Sequence, residues 1–246
     1  MPTRHAFRRS VALALTFSLL VFGAATGTRP PAAAAADPLP ECRYDDVRTR
    51  YTGKRKWRIT LLDTIYKLPR AYVPPRLVST GRAGLNRGGK VRKVMLKDLT
   101  AVARAARLAG APLRVVSAYR SYDLQAYLFR REVRNKGMEE ALVSVARPGH
   151  SEHQLGTTID FGSGGTSLKG WHYTDWAQTP AGAWLKKNGW QHGFVMTYPK
   201  GRKSVTCYKY EPWHWRYVGR DMAARVRASG LTLREYQWLN FHQDPA

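Results

Sequence analysis

Four side chains in two separate segments have the types and spacing of a metal site built for hydrolysis. The upstream segment supplies His153 and Asp160, and the downstream segment supplies Glu211 and His214. A catalytic zinc ion typically takes three nitrogen or oxygen ligands from the protein, keeps its fourth position for water, and needs a base beside that water. His153, Asp160 and His214 would be the ligands and Glu211 the base. The sequence therefore predicts a catalytic zinc centre.

The backbone must bend for these residues to meet. His153 and Asp160 have an odd separation, which would place them on opposite faces of an uninterrupted strand. Gly156 lies between them and can take a positive φ that turns the chain. Pro212 similarly disfavours a straight strand ladder directly after Glu211. We therefore expect a bend at Gly156 and a turn at Pro212.

A competing metal site would use neighbouring residues only. His150 and His153 could chelate an ion from one helical turn, with Glu152 as the base. Pro148 and Gly149 favour a loop at this point, and the arrangement leaves the downstream histidine unused. The helical zinc-protease signature His-Glu-x-x-His is absent. We therefore prefer the first arrangement.

The same segments resemble a known family, the zinc D-alanyl-D-alanine carboxypeptidases of the VanY type, which share a fold with hedgehog signalling domains. The two motifs are Ser151-x-His153-x-x-Gly156-x-Thr158-x-Asp160 and Glu211-x-Trp213-His214. The resemblance runs in order from about Val115 to Tyr217. One departure is visible: Thr158 stands where the family usually has alanine, a change that affects no catalytic group.

A third segment, from Ser117 to Tyr122, resembles the part of the family that carries the substrate arginine. The resemblance implies that Arg120 is catalytic and binds substrate, and that Gln125 and Ser151 also contact the substrate. A guanidinium can stabilise the oxyanion formed at the attacked carbonyl, or it can bind a terminal carboxylate through a bidentate pair. The sequence leaves both roles open for Arg120.

The resemblance implies a peptidase that removes a terminal D-alanine from peptidoglycan stem peptides. Arg120 favours this activity over that of a related endopeptidase, because a cationic clamp suits a free chain end. A non-catalytic wall-binding module with the same fold and metal is the alternative from another class. Glu211 argues against that alternative, because a metal site without catalysis needs no base.

The first 36 residues have the layout of a secretory signal peptide. Three arginines, Arg4, Arg8 and Arg9, precede an apolar run over residues 11–25, and alanines at 32–36 offer a cleavage site. A permanent membrane anchor needs ~20 apolar residues. We expect cleavage near Ala36 and a secreted or cell-envelope protein; an uncleaved anchor is the alternative.

The chain has two cysteines, Cys42 and Cys207, both beyond the expected cleavage point. In an oxidising compartment they allow one pairing, so we expect a disulfide that ties the N-terminal segment to the chain just before Glu211. Two unpaired buried thiols are one alternative. Cys207 as a zinc ligand beside His214 is another, although Asp160 already completes a set of three ligands.

The charge of the chain predicts contact with polyanions. The formal net charge is +24, and removal of residues 1–36 with their four arginines leaves 24 minus 4, or +20. An exported protein would meet anionic cell-wall polymers, lipid headgroups or carboxylated peptidoglycan, and a solvated surface without a partner is equally compatible. The basic residues form no recognised nucleic-acid module, so we expect no nucleic-acid partner. We also expect a monomer.

The order of predicted elements indicates an α+β fold with a central antiparallel sheet flanked by helices, like that of the hedgehog and DD-peptidase folds. Residues 37–94 would form a lead-in and loop region that packs on a catalytic domain at 95–246, with loop over 73–93. Apolar spacing predicts helices, and β-branched or aromatic runs predict strands. The predicted helices cover 95–108, 123–135, 180–188, 222–228 and 231–239, and the predicted strands cover 114–119, 157–161, 194–198 and 213–218. In the second helix we expect Leu124, Tyr127 and Leu128 to face inward.

Overall fold

The structure is a computed structural model that describes Met1 and residues 38–243. Apart from Met1, the predicted signal peptide lies outside these residues. The eight strands are β1 (Val47–Arg48), β2 (Tyr66–Lys67), β3 (Leu77–Ser79), β4 (Lys90–Arg92), β5 (Leu113–Ser117), β6 (Thr158–Ser163), β7 (Phe194–Met196) and β8 (His214–Tyr217). The seven α-helices among the described residues are α1 (Leu96–Leu108), α2 (Tyr122–Lys136), α3 (Met138–Ser144), α4 (Pro180–Asn188), α5 (Lys203–Thr206), α6 (Arg220–Ser229) and α7 (Leu233–Gln237). Short 3-10 turns and a terminal π-turn, Trp238–His242, complete the fold.

The central sheet has four strands in the order β5-β6-β8-β7, and every neighbouring pair is antiparallel. Two small two-stranded sheets lie outside it: β1 and β2 pair in parallel, and β3 and β4 pair antiparallel. The helices lie around the central sheet, so the predicted α+β fold is confirmed. Among the described residues, none of the helices has the length and apolar content needed to cross a bilayer.

The main core lies between one face of this sheet and α1. Ile159 and Phe161 of β6 and Trp215 and Tyr217 of β8 alternate along their strands and point into this core. Helix α1 contributes a buried face of four residues at helical spacing, Leu99, Val102, Ala103 and Ala106. Alternation leaves the residues between them, including Asp160 and His214, on the other face of the sheet. The sequence thus separates a packing face from a chemical face.

The predicted lead-in is attached to the rest of the chain by several bonds. A disulfide joins Cys42 to Cys207, as predicted, with their Cα atoms 5.4 Å apart. Arg147 donates to the carboxylate of Asp46 at 3.0 Å and to the carbonyl of Thr64 at 2.8 Å. Residues 38–243 belong to one compact unit. The proposed boundary near residue 94 stays a prediction.

Two predictions about secondary structure were wrong. Residues 73–93 are not all loop, because β3 and β4 pair within them. Leu124 and Tyr127 do not face inward; they are 45% and 51% exposed. Helix α2 instead buries Gln125, whose amide donates to the carbonyl of Ala146 at 2.6 Å. The buried face of α2 thus carries a polar residue, so the spacing of apolar residues could not predict which face is buried.

Candidate metal centre

Strand pairing brings two of the predicted ligands together. Asp160 of β6 lies directly opposite His214 of β8 in the antiparallel register, and Ser117 of β5 lies opposite Asp160 from the other side. Opposed residues of antiparallel strands have side chains about 5 Å apart on the same face. The distance from His214 Nδ1 to Asp160 Oδ1 is 3.2 Å.

The third predicted ligand reaches the same face from a 3-10 turn, Glu152–Leu155. The hydroxyl of Ser151 accepts a hydrogen bond from the backbone N–H of His153 and begins the turn. Gly156 ends it with a φ of +71°, so the predicted bend is present. A Cβ at Gly156 would also lie only 3.0 Å from Pro74 and 3.1 Å from Arg92. The positive φ therefore favours glycine at this position, and the tight space adds to the cost of any other residue.

The three side chains converge on one point. The candidate ligand atoms of His153, Asp160 and His214 all lie within 4.8 Å of one another, and the three residues are buried. His153 Nδ1 lies 2.6 Å from the carbonyl of Ala118 and so donates its proton there. His153 Nε2 is left with a lone pair, buried without a hydrogen-bond partner, 3.2 Å from Asp160 Oδ2. Two electron-pair donors facing each other in a buried site fit a cation between them.

The electrostatics of the cluster also favour a cation. Burial and the nearby Arg120 lower the pKa of His153 to about 4, so its imidazole is neutral and able to bind a metal. Burial opposes a charge on His214 as well, but the carboxylates of Asp160 and Glu152 outweigh it and raise its pKa to about 10. Without a metal, the proton on His214 is the positive charge that these carboxylates hold. A divalent cation can replace it.

A buried network orients His214. Its Nε2 lies 3.0 Å from Glu152, so Nε2–H donates there and a metal that displaces the proton on Nδ1 can bind that nitrogen. Thr197 donates to the same carboxylate at 2.7 Å, and Arg216 donates to it at 2.6 Å. Sequence reasoning considered Glu152 only as a base and missed Thr197 and Arg216. Arg216 had a usable signal, since it lies two residues after His214 and therefore on the same face of β8.

Glu211 lies beside the cluster as the sequence predicted. A turn places it there, because the backbone N–H of His214 donates to the carbonyl of Glu211 at 3.1 Å. A carboxylate oxygen of Glu211 is 3.5 Å from His214 Nδ1. Burial raises the pKa of Glu211 to about 7, where a carboxylate becomes a more effective proton acceptor. The ring of Tyr198 packs on His214 at 4.7 Å and helps to enclose the site.

Arg120 also lies at the cluster. Its Nη1 is 3.8 Å from Asp160 and 3.4 Å from the hydroxyl of Ser117, and its Nη2 is 3.5 Å from the hydroxyl of Ser151. Burial lowers the pKa of the Arg120 guanidinium below its usual range. Its backbone N–H donates to the carbonyl of His153, which ties the arginine segment to the metal turn. Among the three predicted substrate residues, Ser151 thus contacts Arg120, whereas the side-chain amide of Gln125 donates to the carbonyl of Ala146.

The competing sites are excluded by geometry. His150 points away from the cluster, with Nδ1 2.7 Å from the carbonyl of Asp63 and Nε2 3.0 Å from Asp46. A site built from His150, His153 and Glu152 was therefore the wrong alternative. Cys207 is bonded to Cys42 and is neither a free thiol nor a ligand.

Comparison with known proteins gives the family. The family model for VanY, described as D-alanyl-D-alanine carboxypeptidase, matches residues 88–220. This range is more than half of the 246 residues. The chain belongs to the VanY family. The family predicted from the sequence is confirmed.

Individual relatives and similar solved structures agree with this assignment. The protein named YodJ of Bacillus subtilis (strain 168) is 40% identical over 147 residues, which are 59% of this chain and 53% of YodJ. The LD-carboxypeptidase LdcB has a solved structure with a TM-score of 0.63 and 36% identity, covering 72% of this chain and 83% of that one. The chain thus spans about half the length of its curated relative YodJ.

A further similar structure bears on the cofactor. A variant of the vancomycin-resistance D,D-pentapeptidase VanY was solved in complex with Zn(II); it is 30% identical, with a TM-score of 0.61, and the match covers 73% of this chain and 98% of that one. In this VanY-family chain, the cluster of His153, Asp160 and His214 supplies two imidazoles and a carboxylate, a set that zinc prefers. The prediction of zinc as the cofactor is confirmed.

Proposed function

We propose that this chain is an exported zinc-dependent D-alanyl-D-alanine carboxypeptidase that trims peptidoglycan stem peptides. The observation that carries the proposal is the buried carboxylate of Glu211 beside three converging ligands, 3.5 Å from His214 Nδ1. A site that only stabilised the fold would use all its donors for the metal. Glu211 is a spare proton acceptor, as hydrolysis requires.

The chemistry follows from the positions of the residues. Zinc held by His153, Asp160 and His214 would supply a water molecule that loses its proton near neutral pH and would polarise the attacked carbonyl. Glu211 accepts the proton of that water on its carboxylate and then passes it to the nitrogen of the departing D-alanine. The peptide bond breaks as the carbonyl carbon gains the hydroxyl oxygen. Both products remain free to leave the site.

Arg120 supplies the positive charge for the substrate. Its two Nη atoms lie 3.4 Å from Ser117 and 3.5 Å from Ser151, so the guanidinium is held beside the ligands with its fork facing the cluster. We assign it to the terminal carboxylate of the stem peptide, which a guanidinium binds through two parallel hydrogen bonds. Ser151 positions Arg120, whereas the side-chain amide of Gln125 donates to the carbonyl of Ala146. This assignment explains why a free chain end would be preferred over an internal bond.

The location and partners belong to the same proposal. Residues 1–36 act as a signal peptide, and the disulfide Cys42–Cys207 forms outside the cytoplasm. The mature protein is a monomer in which residues 37–94 pack on the catalytic domain. Its charge of +20 brings it to anionic cell-wall polymers rather than to nucleic acid.

Removal of D-alanine after an L-configured residue is the second candidate activity. It is favoured by the similarity to LdcB, which is an LD-carboxypeptidase. An endopeptidase activity within the stem or cross-bridge has no comparable support.

Mass analysis of defined stem peptides tests these activities. The zinc-loaded mature protein is incubated with a pentapeptide ending in D-alanyl-D-alanine and with the tetrapeptide that lacks the last residue. We expect loss of one alanine from the pentapeptide, abolished by a chelator and by Glu211→Gln, and unchanged in the surface control Glu139→Gln. Loss from the tetrapeptide alone would assign the L,D activity, and internal fragments would assign the endopeptidase. Intact peptides with zinc bound would support the non-catalytic module.

A further inference from the structure

A second charged cleft lies away from the metal centre, where β8 runs into α6. Its volume is about 540 Å³, and four cationic side chains line it: Arg58, Lys97, Arg220 and Arg225. Gly219, at the start of α6, lies five positions after His214, which corresponds to roughly 16 Å along an extended chain. This basic cleft is therefore a separate site at the opposite end of the strand that carries His214.

Three of these cations have no carboxylate partner. Arg58, Lys97 and Arg225 form no ion pair with any residue in the described part of the chain. Arg220 does, because its Nε donates to Asp98 at 2.8 Å, and the other oxygen of Asp98 accepts from Tyr217 at 2.7 Å. Asp98 is thus neutralised by groups already in the wall. Asp221 also lines the cleft and offsets one of the three unpaired cations, which leaves a net charge of 3 minus 1, or +2, for a ligand.

The cleft is partly preorganised for an anion. The guanidinium of Arg58 lies 4.9 Å from the ring of Trp57, which in turn stacks on Tyr217 at 5.4 Å. Gly219 leaves room for it, since a Cβ there would lie 3.1 Å from Arg58 Nε. This arrangement places Arg58 over the first turn of α6, whose N–H groups add positive potential. The cation is held before any ligand binds, which reduces the entropic cost of binding.

The walls also restrict the class of ligand. Tyr217, Val218 and Met222 line the cleft but are at most 4% exposed. No aromatic face is therefore available for stacking nucleic-acid bases, and no apolar side chain of the lining is available for insertion among lipid chains. Cations spread along a cleft suit successive phosphates of a flexible chain.

We propose that this basic cleft binds the phosphodiester backbone of a base-free anionic polymer of the cell envelope. The proposal rests on the proposed export, because such a polymer is met outside the cytoplasm. It does not depend on catalysis, since none of the lining residues belongs to the metal centre. Binding here would hold the enzyme on the wall while the metal centre processes stem peptides.

Binding of the zinc-loaded full-length mature protein to poly(glycerol phosphate) tests the proposal. The variant Arg58→Gln/Lys97→Gln/Arg225→Gln removes the three unpaired charges. Each phosphate contact contributes about 0.7 to the slope of log affinity against log salt concentration for a flexible strand, so the slope should become shallower by about 2. If the wild type and the triple variant bind the polymer equally at 1 M salt, the variant should bind about 100-fold more weakly than the wild type at 0.1 M salt. Hydrolysis of a soluble stem peptide should not change, which also shows that the variant is folded.

The matched control removes three exposed arginines from α2, Arg130→Gln/Arg131→Gln/Arg134→Gln, with the same change in net charge. It should retain most of the affinity. Equal losses in both variants would overturn the proposal, because net charge alone would then explain binding. The proposal would also be overturned if the wild-type protein did not bind the polymer, or if it bound single-stranded DNA of equal phosphate number as tightly. Binding that required phosphatidylglycerol vesicles would overturn it as well. A failed peptide assay with retained polymer binding would refute the proposed catalysis but not this site.

Discussion

Replacing Glu152 with glutamine should weaken zinc binding and destabilise the fold, although Glu152 is not a zinc ligand. Its carboxylate accepts from three donors, namely His214, Thr197 and Arg216, at 3.0, 2.7 and 2.6 Å. A glutamine has one oxygen and one amide group, so at least one of these donors would face another donor. If the amide faces His214, the tautomer with a proton on Nδ1 is favoured, and the atom that should bind zinc is blocked.

The expected size of both effects follows from the burial of the network. Loss of a group that orients a metal ligand typically lowers metal affinity 10- to 100-fold. Burial opposes ionisation of Glu152, but Arg216 and His214 outweigh it and lower its pKa from 4.5 to about 2. This difference corresponds to ~3 kcal/mol of stability, which is present above pH 4.5 and lost as the pH falls toward 2. The glutamine variant should lack this contribution, because Arg216 stays buried without its counter-charge.

Two measurements on the same variant check these values. Competition with a chromophoric chelator gives the zinc affinity, and urea unfolding of the zinc-free protein between pH 3 and pH 7 gives the free energy of unfolding. The control Glu139→Gln removes a carboxylate from the exposed first turn of α3, where a change of at most about 0.5 kcal/mol is expected. The network as described would be refuted if Glu152→Gln bound zinc within twofold of the wild-type affinity and kept the wild-type pH dependence of unfolding.

Three further changes give independent tests. Gly156→Ala should cost ~1 to 3 kcal/mol of stability and lower zinc affinity, because its φ is +71° and a Cβ would lie 3.0 Å from Pro74. Circular dichroism melting and zinc titration measure the two effects, and an unchanged protein would contradict the bend as a requirement. Cys42→Ser/Cys207→Ser should lower the free energy of unfolding by up to about 5 kcal/mol, because the disulfide closes a loop with a sequence separation of 165. Urea unfolding measures the loss, and a loss below about 1 kcal/mol would show that the N-terminal segment is held by its other bonds. Arg120→Lys should raise the KM for a stem peptide about tenfold with zinc content unchanged, since lysine keeps the charge but loses the paired donors; an unchanged KM would exclude Arg120 from binding the terminal carboxylate.

The metal cluster was predictable because it depends on residue types and short spacings. His153, Asp160 and His214 could be named from the sequence, and the bend at Gly156 followed from the parity of strand positions. The fold class followed from the order of elements, and α4 begins at Pro180 and ends at Asn188 as the proline and glycine signals indicated. Each motif is local in sequence, and the resemblance to the VanY family indicated that the two motifs belong to one site.

Long-range contacts of residues outside the two motifs and the cysteine pair were not predictable. Glu152 orients His214 only because β8 and the 3-10 turn meet in space, 62 residues apart in sequence. Helix α2 shows the same limit, since Leu124 and Tyr127 have apolar spacing but no core to face. β3 and β4 lie in a segment rich in glycine and proline, and their pairing depends on register that local composition does not encode.

Anomalous diffraction at the zinc edge from crystals of the zinc-loaded protein would locate the metal itself. We expect one peak bonded to His153 Nε2, His214 Nδ1 and the carboxylate of Asp160, with Glu211 close by but not bonded. A peak at His150 and Glu152, or a fully loaded protein without a peak between His153 and His214, would contradict it.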